Sequence, residues 1–160
     1  MSRSGADLAL LLLGGFRTLA AEATQELEAI GHPDVRPVHD FAMRAILSGA
    51  DSASALGRRL SVSKQAAAKT IAVLEERGYV TSATDPLDLR RKKLLVTERG
   101  LNLLSEGEAI FDGLRSRWER EIGADEVAKI ETHLAALVAA SPQRFDDIPT
   151  WMAGESGEIA

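Results

Sequence analysis

The chain has 160 residues, 45% of them hydrophobic and 27% charged, with no cysteine and a net charge of -5. That length and balance exclude global disorder and allow one domain, or one domain with an added dimerisation element. The lack of thiols excludes a disulfide scaffold, a thiol switch and thiolate metal ligation, and it fits a reducing cytosol.

The first predicted helix runs from Leu8 to Ile30. Leu8, Leu12, Phe16, Leu19, Ala23, Leu27 and Ile30 recur at intervals of three and four, which makes one apolar stripe. Gly14 and Gly15 interrupt it, and Gly31-His32-Pro33 ends it. Its apolar run, Leu8 to Leu13, is too short to span a bilayer and has no strong basic leader, so no signal peptide is read. A long apolar helix of this kind needs a packing partner, and a second subunit is the natural one.

Val35 to Leu47 reads as a second helix, with Pro37 in the first turn and Val38, Phe41, Ala42, Ala45 and Ile46 facing inward. Ser52 is placed to cap a third helix through Leu60. The connection Ser61-Val62-Ser63 leads to a fourth helix, which Ser63 caps. Ala67, Ile71 and Leu74 form its inward stripe, and Gly78 supplies a left-handed stop. Two helices across a three-residue turn make a helix-turn-helix pattern, with Ser61 where such turns prefer glycine.

Tyr79 to Ala83 is a predicted strand, Asp85-Pro86-Leu87-Asp88 a turn, and Lys92 to Val96 the returning strand. Thr97 caps a fifth helix to about Ile122, with Leu101, Leu104, Phe111, Leu114 and Trp118 apolar. A sixth follows from Asp125 to about Ala140, with Val127, Ile130, Leu134, Leu137 and Val138 in its stripe. From Ser141 an irregular tail is expected, laid on the body through Ile148 and Trp151.

Charge is unevenly spread along this order. Between Gly57 and Lys93 nine cations stand against Glu75, Glu76, Asp85 and Asp88, a net of +5 in a chain that totals -5. A basic stripe on an acidic body is the footprint of a protein that meets phosphate with one face. Gln65, Ala68, Lys69 and Ala72 share the outward side of the fourth helix. Glutamine can read adenine, lysine can reach guanine or phosphate, and alanine methyls can lie against thymine methyls. Arg90 and Arg91 near the hairpin tip suit a narrow minor groove. The bland readings are an alanine-rich solvent helix and a charged edge hairpin. The two features in succession favour DNA.

The segments Asp88-Leu89-Arg90, Leu95-Val96-Thr97 and Gly100 resemble the wing signature of the MarR family of bacterial transcription regulators. Val62-Ser63-Lys64-Gln65 and Leu74-Glu75-Glu76-Arg77-Gly78-Tyr79-Val80 resemble that family's recognition helix and exit. The similarity covers roughly residues 8 to 140. The fold it implies is mainly α with a small β wing: a winged helix-turn-helix with flanking dimerisation helices. Residues 1–34 would be the N-terminal dimerisation helix, 35–97 the DNA-binding lobe, 98–140 the C-terminal dimerisation helices and 141–160 the tail. The implied function is a ligand-responsive repressor, acting in the cytoplasm as a homodimer on a pseudo-palindromic operator.

The DNA-binding set is then Ser61, Ser63, Lys64, Gln65, Ala68, Lys69, Arg90, Arg91 and Lys92, with Asp88 a structural partner near the wing base. The resemblance also implies a small anionic or phenolic effector, with Phe16, His39, Phe41, Phe111, Arg115 and Trp118 as pocket candidates. Two rival readings are weighed. One is a winged-helix protein-interaction module without DNA binding, which the acidic total favours and the basic segment opposes. The other is an enzyme or metal sensor. His32, His39 and His133 lie far apart in sequence, and no nucleophile or acid–base spacing joins them. Neither a catalytic residue, a metal site nor a cofactor is assigned, and no membrane partner.

Overall fold

A computed structural model describes residues 4–139, apart from the side chains of Arg91 and Val138. The expected contacts of Ile148 and Trp151 lie outside the described residues. Among the described residues six helices and one hairpin follow in the order α1 (Gly5–Ala29), α2 (Pro37–Leu47), α3 (Ala53–Arg59), α4 (Lys64–Glu76), β1 (Val80–Asp85), β2 (Asp88–Val96), α5 (Glu98–Ile122) and α6 (Ala124–Ala139). Among the described residues no helix is long and apolar enough to cross a membrane.

Helix starts follow from their caps. Ser4, Ser52, Ser63 and Thr97 each accept a backbone N–H from the third residue beyond, satisfying a donor that the helix leaves open. Gly78, at φ +75, ends α4 as anticipated, and Ser61 takes φ +54 in the helix-turn-helix connection. A left-handed serine costs about 1 kcal/mol, so the α3–α4 packing holds it there.

One core joins α2, α3, α4, the wing base and α5. Met43, Leu56, Leu60, Leu74, Tyr79 and Leu114 are fully enclosed in it. The α3–α4 corner is close: a Cβ on Gly57 would stand 3.0 Å from the Val62 carbonyl oxygen. The wing is antiparallel, with Val80 opposite Val96 and Ala83 opposite Lys93. Leu94 donates its N–H to the Asp51 carbonyl at 3.1 Å, which ties β2 to the connection before α3.

Several expectations are corrected. Gly14 and Gly15 do not break α1. The stripe of α1 is buried at Ala23 and Leu27 alone, while Leu8, Leu12 and Ile30 are exposed. Periodicity reveals which residues share a face, and the chain supplies a cover only for the C-terminal half of this one. In α2, Val38 and Phe41 are half-buried, and Met43 and His39 take enclosed positions the stripe omitted. Leu101 and Phe111 of α5 and Ile130 and Leu137 of α6 are exposed, while Leu103 and Ile110 are enclosed. The returning strand starts at Asp88 rather than Lys92. Thr84 pairs with Lys92 and Asp85 with Asp88, so residues 89–91 bulge out of register. Asp88 thus sits at the wing tip and not near its base.

Candidate nucleic-acid interface

Ala67, Ile71 and Leu74 hold α4 on the core, and this leaves Lys64, Gln65, Ala68, Lys69 and Ala72 on its exposed side. The Ser63 hydroxyl accepts the Ala66 N–H at 3.1 Å, so it caps the helix and keeps its own O–H free to donate. Ser61 is exposed at the turn. With small residues at 68 and 72 between Gln65 and Lys69, the helix can lie deep in a groove while the long side chains reach base edges.

In the wing, Arg90 and Lys92 are exposed, and the side chain of Arg91 lies outside the described residues. Two aspartates shape the tip. Asp85 Oδ1 accepts the Leu87 N–H at 2.9 Å, and Asp88 Oδ1 accepts the Arg90 N–H at 3.0 Å. These Asx-type turns set the course of the chain through the tip. At the wing base, Thr97 Oγ1 accepts the Gly100 N–H at 3.1 Å and donates to the Gly78 carbonyl at 2.6 Å. One threonine therefore joins the exit of α4 to the start of α5.

Beside α4 lies an open cleft of about 750 Å³ whose walls include Arg36, His39, Gln65, Lys69 and Arg77. Arg36, which the sequence analysis did not single out, lies on this cleft. It precedes Pro37 at the N-terminus of α2 and is exposed next to the α4 face. A cation beside Pro at a helix start was the available signal. Arg77 is committed elsewhere: it donates to the Asp34 carbonyl at 2.8 Å and holds the α1–α2 loop.

The six effector-pocket candidates do not gather in one place. Phe16, Phe41 and Phe111 line a cavity of about 70 Å³ between α1, α2 and α5, together with Arg36 and Asp40. His39 lies on the other cleft. Its Nδ1 accepts the Arg36 N–H at 3.1 Å, and burial and then the charges of Arg77 and Arg36 push its pKa down to about 4. It is a neutral helix-capping acceptor near pH 7. Arg115 is bound to Glu131 at 2.5 Å and Glu119 at 2.5 Å, linking α5 to α6. These partners raise its pKa and lower that of Glu131. Trp118 is half-buried against Gly15 of α1.

The remaining histidines are also settled. His32 is buried, with Nδ1 2.9 Å from the Tyr79 hydroxyl and Nε2 2.6 Å from Glu106. Arg99 stacks over the Tyr79 ring at 4.9 Å and donates to the Gly31 carbonyl at 3.1 Å. This cluster ties the end of α1 and the start of α5 to the residue that leads from α4 into the wing. His133 is exposed on α6. Among the described residues no group of three or more histidines and acids could hold a metal ion.

Comparison with known proteins agrees with this geometry. YusO of Bacillus subtilis shares 20% identity over 87% of this chain and 100% of its own, with a TM-score of 0.64. A MarR-family transcriptional regulator from a Rhodococcus species shares 20% over 85% and 96%, with a TM-score of 0.61. A mutant MepR of S. aureus bound to an oligodeoxyribonucleotide shares 16% over 83% and 96%, with a TM-score of 0.58. Residues 42–91, which span α2 to the wing tip, match the model of the MarR family. The chain therefore has the winged helix-turn-helix fold of these proteins, and its residues 42–91 are similar to the MarR family.

Proposed function

We propose that the protein is a sequence-specific, DNA-binding transcription regulator that works in the cytoplasm as a homodimer. The observation that carries this reading is the exposed row Gln65, Ala68, Lys69 and Ala72 on a firmly seated helix, followed at once by a cationic wing. Gln65 and Lys69 read base edges in the major groove, with Lys64, Ser61 and Ser63 on flanking phosphates. Arg90, supported by Arg91 and Lys92, takes the minor groove. Arg36 adds a backbone contact from the start of α2. The oligodeoxyribonucleotide bound to the MepR mutant supports this reading through the shared fold.

Residues 1–34 and 98–140 form the dimerisation part and residues 35–97 the DNA-binding lobe. The support is the exposed apolar surface of Leu8, Leu10, Leu11 and Leu12 on α1, with Ile130 and Leu137 on α6, outside the core. Unpaired apolar faces of that kind mark association sites. Two heads would engage half-sites of a pseudo-palindrome about one helical turn apart, and repression follows where that operator overlaps a promoter. An anionic or phenolic effector would enter between Phe16, Phe41 and Phe111. The cavity of about 70 Å³ there is below the roughly 300 Å³ of a ligand pocket, so binding would move α1 against α5. Such a movement is the means by which an effector would change the spacing of the two heads.

The test is fluorescence anisotropy of the full chain against its own upstream DNA across a salt series. Steep loss of affinity with salt is expected. No binding at low salt would overturn the reading and favour a protein-interaction module.

A further inference from the structure

The wing tip carries two leucines that serve no purpose in the fold. Leu87 is 96% exposed and Leu89 is 83% exposed. A single exposed leucine is ordinary and needs no explanation. Here two lie within three residues of each other, on either side of Asp88, at the far end of a cationic hairpin. Their placement is also fixed. Pro86 restricts the turn, and the carboxylates of Asp85 and Asp88 accept the Leu87 and Arg90 N–H groups. The tip presents the leucines outward in a set geometry, so little conformational freedom is lost when they meet a partner.

We propose that Leu87 and Leu89 form an apolar wedge that enters the minor groove beside Arg90 and unstacks a base step there. This rests on the DNA-binding reading above and names the residues that would add shape specificity to it. Charges of both signs stand at the tip: the Asp85 and Asp88 carboxylates are engaged by the Leu87 and Arg90 N–H groups, while the exposed Arg90 and Lys92 side chains are left to meet a partner, which suits phosphate-walled DNA and opposes a basic or purely apolar one. Apolar wedges flanked by cations are a general means of opening base steps from the minor groove. The wedge would favour pyrimidine–purine steps, which unstack at least cost, over stiff A-tracts.

The test uses the full-length protein and duplex DNA recovered by selection from a random pool. A hydroxyl-radical footprint locates the wing, and 2-aminopurine is placed in turn at each step beneath it. Wild-type binding should raise the fluorescence at one step per half-site. The Leu87→Ser/Leu89→Ser variant should fold normally, since neither side chain is buried. It should bind about tenfold or more weakly with an unchanged salt slope, lose the fluorescence rise, and no longer distinguish a TA step from an A-tract. Arg90→Ala should instead reduce the salt slope by about one. Wild-type binding without any 2-aminopurine signal would overturn the wedge and leave the DNA-binding reading standing. Equal affinity and equal signal in the leucine variant would likewise overturn it. A wild-type chain that binds no DNA would overturn both readings.

Discussion

Gly100 and Tyr79 meet at the base of the wing so closely that a Cβ on Gly100 would overlap the Tyr79 carbonyl oxygen and the Val96 side chain. That carbonyl also accepts the Thr97 N–H at 3.0 Å, so it cannot move aside without breaking the joint between β2 and α5. Helix propensity favours alanine over glycine by about 1 kcal/mol. The steric term is larger because a backbone atom is in the way. Gly100→Ala should lose about 1–3 kcal/mol net, read as a lower urea midpoint at constant m. An unchanged midpoint would show that the wing base yields.

Tyr79 has a second role through its hydroxyl. Tyr79→Phe leaves His32 Nδ1 without its partner in a buried site, at a cost of about 1–3 kcal/mol. Hydrogen exchange should quicken at the start of β1, where the cluster binds the wing to α1 and α5. Wild-type stability in Tyr79→Phe would mean that water replaces the hydroxyl.

The proposed DNA contacts divide by their salt dependence. Arg36→Ala should weaken binding by a similar factor on all sequences and reduce the slope of log K against log salt by about one. Gln65→Ala should leave that slope unchanged and relax discrimination at one base pair by about 1–3 kcal/mol. A Gln65→Ala variant with wild-type sequence preference would take base reading away from that residue.

His39 makes stability depend on pH with a determined sign. Its pKa is lowered in the fold to about 4, from about 6.5 in the unfolded chain. Its contribution is therefore fully present above about pH 6.5 and is lost as pH falls towards 4, because the unfolded chain takes up the proton first. The total is on the order of 3 kcal/mol, with about 2 kcal/mol of it lost by pH 5. His39→Gln keeps an acceptor for the Arg36 N–H and removes the titration. The difference between wild type and His39→Gln in denaturant unfolding should shrink or reverse between pH 7 and pH 5. A difference that is flat with pH would exclude His39 as the source.

The exposed half of α1 tests the proposed dimer. Leu8 and Leu12 are one turn apart and both open to solvent in the single chain. If the proposed dimer forms through this face, Leu8→Glu/Leu12→Glu should leave a monomer at micromolar concentration in sedimentation velocity and abolish binding to two half-sites. An unchanged sedimentation coefficient would move the interface off α1.

Local chemistry made much of this molecule legible in its sequence. Ser52, Ser63 and Thr97 announced three helix starts because a cap depends on neighbours three residues away. Ala67, Ile71 and Leu74 gave the phase of α4, and with it the exposed side of Gln65, Ala68 and Lys69. Sequence spacing could not tell which stripes the chain itself would cover: Leu8, Leu12 and Leu137 lie on apolar stripes and are exposed in the single chain. The bulge at residues 89–91 was also hidden, because it arises from side-chain carboxylates bonding to the backbone at the tip rather than from an alternation pattern.

The helix-turn-helix and its cationic wing were thus determined by the sequence itself, through caps, periodicity and a run of charge, all set within a few residues. The tertiary structure decided the partners of groups far apart in the chain. It joined His32 to Tyr79 and Glu106, 47 and 74 residues away, and it brought Arg36 beside the α4 face. It sent His39 to one cleft and Phe16, Phe41 and Phe111 to another. Buried polar groups must find partners wherever the fold places them, and that placement follows from packing, which no local pattern encodes.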